Sequence, residues 1–328
     1  MRFLVPDNTQ NRQNRIAEMN EQCDDYLKSD AFISLLDILK IQNRSSVDAI
    51  LSGLKEFDTR RGREVQFADT SNKTLQDNKE RLFYIYKDLG LVDVHMPSKK
   101  SDHGNGFSDL IVLGGAFEAC YRRTEKASNY ISKATRRVSG LSAFRPIPSR
   151  ELDIARRVYS KYVNHPEHTE FEAMSDAFAR KFELDHISNE TFISSTNLNL
   201  ISNIREFCSP GDAKYKVYAS PSSSVDRRAS TLDTYEHFLN DVYDEVLSER
   251  DCRLLVITDN RYVTYQIIPL LICIFGSQIC DNIQAVDIIG CYGSDDQATK
   301  DSYDIAYIND IIATVDWIIK FREAFCRI

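Results

Sequence analysis

The stretch DLIVLGGAFEACYRRTEKA, residues 109–127, decides the fold. Its apolar run ends at Gly114 and Gly115, and Arg122 and Arg123 follow in a segment with helical spacing. A short continuous apolar run that glycine stops is typical of a strand buried in a parallel sheet. The order of strand, glycine loop and helix therefore predicts an α/β unit. The glycine pair either lies against a bound ligand or only allows a tight turn.

Beyond this stretch, apolar segments with strand character alternate with helical ones. The predicted strands lie near 135–140, where a Ser-Gly loop ends the strand, and at 215–220, 252–260 and 285–291. The predicted helices cover 118–134, 149–184, 229–249 with Ser230 or Thr231 near its start, 262–276 and 303–325. Such alternation predicts a Rossmann-like α/β fold, a parallel sheet flanked by helices on both faces.

The residues before this unit predict a helical extension. Apolar positions in 10–92 recur at three- and four-residue spacing, and Gly90 is placed to end the last helix. The polar segment 94–106 is rich in turn-forming residues and is predicted to be a linker. We therefore expect a helical N-terminal region, 1–100, and a Rossmann-like domain, 101–328.

Composition restricts the classes of partner. The chain has 328 residues, 42% of them hydrophobic and 27% charged, and a net charge of −8. An acidic balance argues against a nucleic-acid partner, which would need a concentrated excess of Lys and Arg. The most apolar segment, 265–276, is too short to span a membrane, and residues 3–5 are too short an apolar core for a signal peptide. A cytoplasmic location is expected, with secretion by a route that needs no signal left open.

Sequence motifs also exclude several kinds of site. The eight cysteines include no C-x-x-C pair, so no metal site is predicted. The segment LGGAFEAC lacks the G-x-G-x-x-G fingerprint of nicotinamide and flavin enzymes and the G-x-x-x-x-G-K-[ST] loop. The chain has no G-x-S-x-G, which argues against an α/β-hydrolase.

Small and polar residues at the ends of the predicted strands form the candidate site. They are Gly114-Gly115, Ser139-Gly140, Ser220 and Thr258-Asp259-Asn260. Ligands of open parallel sheets bind at the carboxyl ends of the strands, where backbone donors and an arginine suit a phosphate or carboxylate. Turns require the same residue types, so a scaffold without a ligand is an equal alternative.

The order of these motifs resembles the YdcF/SanA/ElyC-like family, bacterial proteins with a Rossmann-like domain of unknown function. The matching segments are VLGGAFEACYRR (112–123), RRVSG (136–140), FEAMSDAFARKF (171–182), RRASTLDTYEHF (227–238) and RLLVITDNRY (253–262). The resemblance covers about 110–275. It implies a pocket formed by Gly114, Gly115, Arg122 or Arg123, Ser139, Gly140, Glu172, Thr231, Asp233 and Thr258. It also implies a link to envelope biogenesis and an S-adenosylmethionine-like ligand.

The chain departs from the family at two places. Asp233 and Thr234 replace a usual Glu and Asn, and Tyr262 and Tyr265 stand where the family carries His and then Arg. Loss of that histidine removes a general acid or base.

Two functions from different classes follow from these patterns. The first is binding of a nucleotide or S-adenosylmethionine-like molecule at the strand ends, in a transferase or hydrolase. Glu172 and Asp259 are then the candidate catalytic residues, and Asn260 joins the ligand-binding set. A phosphate site at Arg227 and Arg228 is a further possibility. The alternative function is a non-catalytic interaction or effector protein that binds a protein partner through its N-terminal helices.

Overall fold

The computed structural model of the chain describes residues 3, 4, 6, 10–58, 60, 61, 64, 65, 73–92, 106–147, 151, 153, 169–209, 211–249, 251–291 and 298–326. Its contacts divide the chain into two compact units. The first unit contains Met1–His95, Asn260–Phe275 and Tyr292–Ile328, and the second contains Met96–Asp259 and Gly276–Cys291. This division differs from the split expected at residue 100, because two later segments group with the N-terminal helices.

The described helices are α1 Arg12–Lys28, α2 Asp30–Ile38, α3 Val47–Lys55, α4 Lys73–Asp77, α5 Lys79–Asp88, α6 Phe117–Ser128, α7 Glu170–Lys181, α8 Thr231–Asp241, α9 Tyr243–Ser248, α10 Val263–Gly276 and α11 Ala298–Phe325. The strands are β1 Arg60–Arg61, β2 Glu64–Val65, β3 Asp109–Leu113, β4 Arg137–Ser142, β5 Ile187–Ile193, β6 Ser202–Phe207, β7 Lys214–Ala219, β8 Cys252–Asp259 and β9 Ile283–Cys291. Of the helices that the structure describes, none combines the length and apolar character needed to cross a membrane.

The second unit is built on a seven-stranded sheet in the order β5-β6-β7-β4-β3-β8-β9. The five strands from β7 to β9 are parallel. The strands β5 and β6 extend the sheet as an antiparallel pair at one edge. The predicted α/β fold with a Rossmann-like sheet and N-terminal helices is confirmed.

Alternation along the strands sends one set of side chains toward α6 and α7. Apolar residues of this set form one buried cluster with the two helices, including Leu110, Val112, Val138, Val217, Leu255, Ile257, Phe117, Cys120, Met174 and Phe178. Burial of each large apolar side chain stabilises the unit by about 1.5–3 kcal/mol. On the opposite face, Tyr218 contacts Phe238 of α8, with ring centroids 5.8 Å apart. Helices therefore cover both faces.

Capping residues account for several element boundaries. Ser230 caps α8, and its side chain and that of Asp233 satisfy each other's backbone N–H groups. This capping box explains why the predicted helix begins where Ser230 and Thr231 lie. Gly90 follows α5 with φ of 78°, a conformation that favours glycine. Its predicted role at the end of the helix is confirmed.

One predicted strand end is wrong. The strand β4 continues to Ser142, so Ser139 and Gly140 lie inside it and not in a loop at its carboxyl end. A Cβ atom at Gly140 would lie 2.7 Å from Met174 Cγ, so this glycine allows α7 to pack closely on the sheet. The helix predicted over 118–134 ends earlier, at Ser128. Most of the predicted linker, 94–106, and much of the predicted helical stretch 149–184 lie outside the described residues.

The first unit is a helical body with its own apolar interior. Met19, Cys23 and Tyr26 of α1 are fully buried, as is Phe32 of α2. The Tyr26 and Phe32 rings lie 5.6 Å apart. Within the same unit, Arg322 of α11 donates a hydrogen bond to Asn20 at 3.1 Å. The described helices before residue 96 therefore pack in a unit that has its own apolar interior.

Candidate functional site

The strand order of the second unit has a switch point between β3 and β8. The chain runs from β3 to β4 and β7 on one side of β3, and then to β8 and β9 on its other side. Open parallel sheets bind ligands outside the carboxyl ends of the strands at such a point. In this chain β3 ends at Leu113, directly before Gly114, and β8 ends at Asp259. The candidate site is therefore the region around Gly114 and Asp259.

Arg123 of α6 joins the ends of the two strands. Its side chain is only 1% exposed, and it donates to the Leu113 carbonyl oxygen at 2.7 Å and to the Gly114 carbonyl. Its Nη2 and Nε donate to Asp259 at 2.7 and 3.2 Å. A Cβ at Gly115 would lie 3.2 Å from both terminal nitrogens of Arg123. Gly115 therefore leaves room for the guanidinium of the chain's own arginine.

Asp259 is bound by both arginines of the opening stretch. Arg122 Nη2 donates to Asp259 Oδ1 at 2.8 Å, beside the contacts with Arg123. Burial by itself would raise the pKa of Asp259, but the charges and hydrogen bonds of Arg123 and Arg122 lower the pKa to about 2. The carboxylate therefore carries no proton to donate at neutral pH, and arginines already engage both of its oxygens.

Glu170 is the buried carboxyl group on the other side of the glycine pair. It is 8% exposed and begins α7, and its Oε2 accepts a hydrogen bond from Arg145 Nε at 3.1 Å. A Cβ at Gly114 would overlap Oε1 of Glu170. Burial raises the pKa of Glu170, and the charges of Arg145, Arg228 and Arg123 offset this only in part. A carboxyl group with a raised pKa is suited to proton transfer near neutral pH.

Each glycine of the pair thus lies against a charged side chain of the same unit. The sequence did not indicate Glu170, because a glutamate in the first turn of a helix is expected for the helix dipole alone. The start of α6 is also occupied by the chain itself, since the Phe117 N–H donates to Glu151 Oε2 at 3.4 Å. The helix terminus that was expected to hold a ligand anion therefore faces an internal carboxylate.

Glu172, the other predicted catalytic residue, pairs with an arginine of the antiparallel edge. Arg205 of β6 donates to its two carboxylate oxygens at 3.0 and 3.2 Å, and also to Glu190 at 2.9 Å. The Glu172 side chain is 42% exposed. The Arg205 guanidinium lies 4.7 Å from the centre of the Phe171 ring. The contacts of Glu172 are those of a partly exposed ion-pair network.

Asp233 and its neighbours serve the start of α8. Asp233 accepts hydrogen bonds from the Ser230 N–H at 2.6 Å and from Arg227 Nη2 at 3.1 Å. Burial acts to raise the pKa of Asp233, but Arg227 and the serine donors hold the pKa well below its usual range. Thr231 is the first residue of the same helix. Arg227, one of the two arginines considered for a phosphate site, therefore already binds a carboxylate of the same unit.

Four residues near strand ends carry polar side chains that are almost fully buried. Ser139 and Thr258 lie inside β4 and β8, at 2% and 0% exposure. Ser220 follows β7 and is 2% exposed, and its hydroxyl has no hydrogen-bond partner among the described residues. Asn260 follows β8 and is 6% exposed. Both polar atoms of its side chain also lack a hydrogen-bond partner among the described residues. Buried polar atoms without a hydrogen-bond partner, such as those of Ser220 and Asn260, are rare, and a bound water or a ligand can satisfy them.

The structure also brings together a serine and a histidine that the sequence did not connect. Ser202 Oγ at the start of β6 lies 3.2 Å from His237 Nε2 of α8. Burial lowers the pKa of His237, and Asp241 counteracts this in part. The sequence gave no prediction for β6, because polar and apolar residues do not alternate clearly there. This pair could therefore not be found before the fold was known.

Among the described residues, one group could offer three metal ligands: Asp109, Glu249 and Cys252. Arg137 already donates to Asp109 and, at 2.8 and 3.0 Å, to the two oxygens of Glu249. A guanidinium therefore supplies the positive charge in this cluster, which lies at the amino end of β3 and β8.

Comparison of the chain with family models, with curated proteins and with solved structures finds no match.

Proposed function

We propose that the protein binds a nucleotide-type or S-adenosylmethionine-like small molecule at the carboxyl edge of its parallel sheet. The observation that carries the proposal is the group of arginines, Arg145, Arg228 and Arg123, whose charges act on the buried Glu170 beside the switch point. Cations gathered at this edge suit a phosphate or carboxylate group. The resemblance to the YdcF/SanA/ElyC-like family supports the same class of ligand.

Different arginines have different parts in this proposal. Arg123 is fully engaged and holds the strand ends together. The side chains of Arg122 and Arg145 are 25% and 20% exposed, so they can reach a ligand from the solvent side. Ser220 supplies a buried hydroxyl group to a ligand that reaches it. The anionic group of the ligand then pairs with the partly exposed arginines.

If the protein is a transferase or hydrolase, the structure favours Glu170 over Glu172 and Asp259 as the proton-transfer group. Glu172 and Asp259 both bind arginines, and the low pKa of Asp259 makes it a weak base. Glu170 has a raised pKa and lies against the glycine loop. Protonated, it donates to a leaving group; ionised, it accepts a proton from a nucleophile.

A second function, a non-catalytic interaction protein built on this scaffold, has one specific observation in its favour. Arg123 and Asp259 form an ion pair with each other at the switch point, where open parallel sheets place a ligand. A crevice occupied by an internal ion pair fits a domain that has no ligand.

Calorimetric titration with ATP, S-adenosylmethionine and S-adenosylhomocysteine tests the first proposal. We expect one of these compounds to bind the wild type and to bind Arg228→Ala at least ten times more weakly. Arg180→Ala, at the far end of α7 and 47% exposed, is the matched control and should bind like the wild type.

The variant Glu170→Gln separates the two ligand classes. Removal of a negative charge should tighten the binding of ATP, whose charges are all negative. It should weaken the binding of S-adenosylmethionine if Glu170 holds the ammonium group of that ligand. Failure of all three compounds to bind the wild type would favour the interaction protein.

A further inference from the structure

Ser202 and His237 form a pair that the proposed ligand site does not use. Ser202 Oγ lies 3.2 Å from His237 Nε2, a distance at which the hydroxyl can donate to an unprotonated ring nitrogen. Burial lowers the pKa of His237, so the imidazole is largely neutral at pH 7. A neutral imidazole beside a serine hydroxyl is the arrangement in which a general base activates a serine nucleophile.

The neighbours of His237 orient its ring and favour its protonated form. The Tyr218 ring meets the imidazole at 89°, with ring centroids 6.0 Å apart. Asp241, one helical turn after His237, accepts hydrogen bonds from the Tyr218 hydroxyl at 2.8 Å and from Lys216 Nζ at 3.0 Å. The negative charge of Asp241 favours the protonated imidazole. Asp241 therefore stabilises the imidazolium that forms when His237 accepts a proton, which is one role of the carboxylate in a Ser-His-Asp triad.

Ser220 provides a buried hydroxyl group next to this pair. Asn203 of β6 lies opposite Ala219 of β7, so Ser202, one residue earlier, lies beside Ser220, one residue later. Ser220 is two residues after Tyr218 and points to the same face of the sheet, which α8 covers. It is 2% exposed, and its hydroxyl has no hydrogen-bond partner among the described residues. This hydroxyl can therefore donate to an oxygen that becomes negative on a substrate bound at Ser202.

The side of the pair that faces β5 is open to a substrate. In the pairing of β5 with β6, Ile193 lies opposite Ser202. Opposite residues of antiparallel strands point to the same face, so Ile193 lies on the same face of the sheet as the Ser202 hydroxyl. Ser202 is 5% exposed, whereas Ile193 is 60% exposed. A substrate that reaches Ser202 across Ile193 meets an apolar side chain, which suits an apolar acyl group.

We propose that Ser202 is the nucleophile and His237 the general base of a site that hydrolyses carboxylic esters with an apolar acyl group. His237 Nε2 takes the proton of Ser202 Oγ as Oγ bonds to the ester carbonyl carbon, and the alcohol leaves with that proton. Water then attacks the acylated serine; His237 accepts a proton from the water and returns it to Ser202 Oγ, and the carboxylic acid is released. The inference goes beyond the proposed function and does not require it, because this reaction involves no nucleotide-type ligand.

Labelling with an alkyl fluorophosphonate tests the nucleophile and its base. In this reaction Ser202 Oγ bonds to phosphorus and fluoride leaves, while His237 accepts the hydroxyl proton. We expect peptide mapping by mass spectrometry to find one adduct on Ser202 in the wild type. His237→Gln should be labelled about 100 times more slowly, the effect expected when a general base is lost. His186→Gln, at an exposed histidine outside the pair, is the matched control and should be labelled like the wild type.

Hydrolysis of 4-nitrophenyl esters tests the substrate class. We expect the wild type to cleave the butyrate with a higher kcat/KM than the acetate, and Ser202→Ala, with an unchanged circular dichroism spectrum, to cleave neither. Ile193→Ser should lose the preference for butyrate through a raised KM, whereas Ile131→Ser, at a 37% exposed position outside β5, should keep it. A wild type without an adduct on Ser202, equal labelling rates in wild type and His237→Gln, or a butyrate preference that survives in Ile193→Ser would overturn the proposal.

Discussion

Replacement of Asp259 by asparagine should strongly destabilise the second unit. The arginines lower the pKa of Asp259 from 3.8 to about 2, and at 1.36 kcal/mol per pH unit this corresponds to about 2 kcal/mol of stability. The variant also leaves Arg123, with 1% exposure, without its carboxylate, and loss of one partner of a buried pair costs about 3–5 kcal/mol. We therefore expect a loss of about 2–5 kcal/mol at pH 7.

Urea unfolding followed by circular dichroism measures this loss. Fluorescence is unsuitable, because the single tryptophan, Trp317, lies in the first unit. Since the folded pKa is lower than the unfolded pKa, the contribution of Asp259 is fully present above about pH 4 and is lost as the pH falls toward 2. The difference in unfolding free energy between wild type and Asp259→Asn should shrink over that range. Asp226→Asn, on an exposed turn, is the control.

Equal stability of wild type and Asp259→Asn at pH 7 would refute the reasoning. A difference that stayed constant from pH 5 to the acid limit would also refute it, because the loss could then not arise from the ionised form of the carboxyl group.

Four further predictions concern single groups. Gly114→Ala should lower the unfolding free energy by about 1–3 kcal/mol, because the added methyl group overlaps Glu170 and lies 2.8 Å from a backbone oxygen; a stable variant in urea would contradict this. Glu170→Gln should be at least as stable as wild type at pH 7. Burial raises the pKa of Glu170 in the folded state, so the protonated form stabilises the fold and this stability is lost as the pH rises. The unfolding free energies of the two proteins should therefore converge in acid. Asn260→Leu should raise the melting temperature, because burial of unsatisfied polar atoms costs about 1–3 kcal/mol; a lower melting temperature would show that the amide has a structural role. In an NMR titration, the His237 ring should protonate below its ordinary pKa, and stability from this group should be lost as the pH falls through the folded value.

The parallel part of the fold was predictable because each strand carries its own signal. The runs 110–113 of β3 and 254–257 of β8 are continuously apolar, and glycine or polar residues stop them; the mainly apolar run of β9 is interrupted by Asp287. The strands β5 and β6 were missed because their residues are largely polar and β5 is exposed on both faces, so the sequence shows no buried stripe. Ser139 and Gly140 were placed at a strand end because small residues favour turns. In the structure Gly140 lies inside a strand, and glycine is needed there because α7, which comes later in the chain, packs closely against it.

The candidate site was only partly predictable for a similar reason. The sequence located the carboxyl ends of the strands and the arginines of α6, but it could not show which charges neutralise each other. Asp259 and Arg123 are 136 residues apart in the chain, and Glu170 is 25 residues from Arg145. Only the fold brings each pair together. The glycine pair, for which a bound ligand and a tight turn were both left open, lies against two side chains of the same unit.

Native mass spectrometry of the freshly purified wild type, followed by a thermal-shift screen of nucleotides and S-adenosyl compounds, tests the proposed function most directly. The proposal predicts either an added mass that matches such a compound or a raised melting temperature with at least one of them, and a loss of that effect in Arg228→Ala. A mass equal to that of the polypeptide alone, together with no shift from any compound, would contradict ligand binding at the carboxyl edge of the sheet.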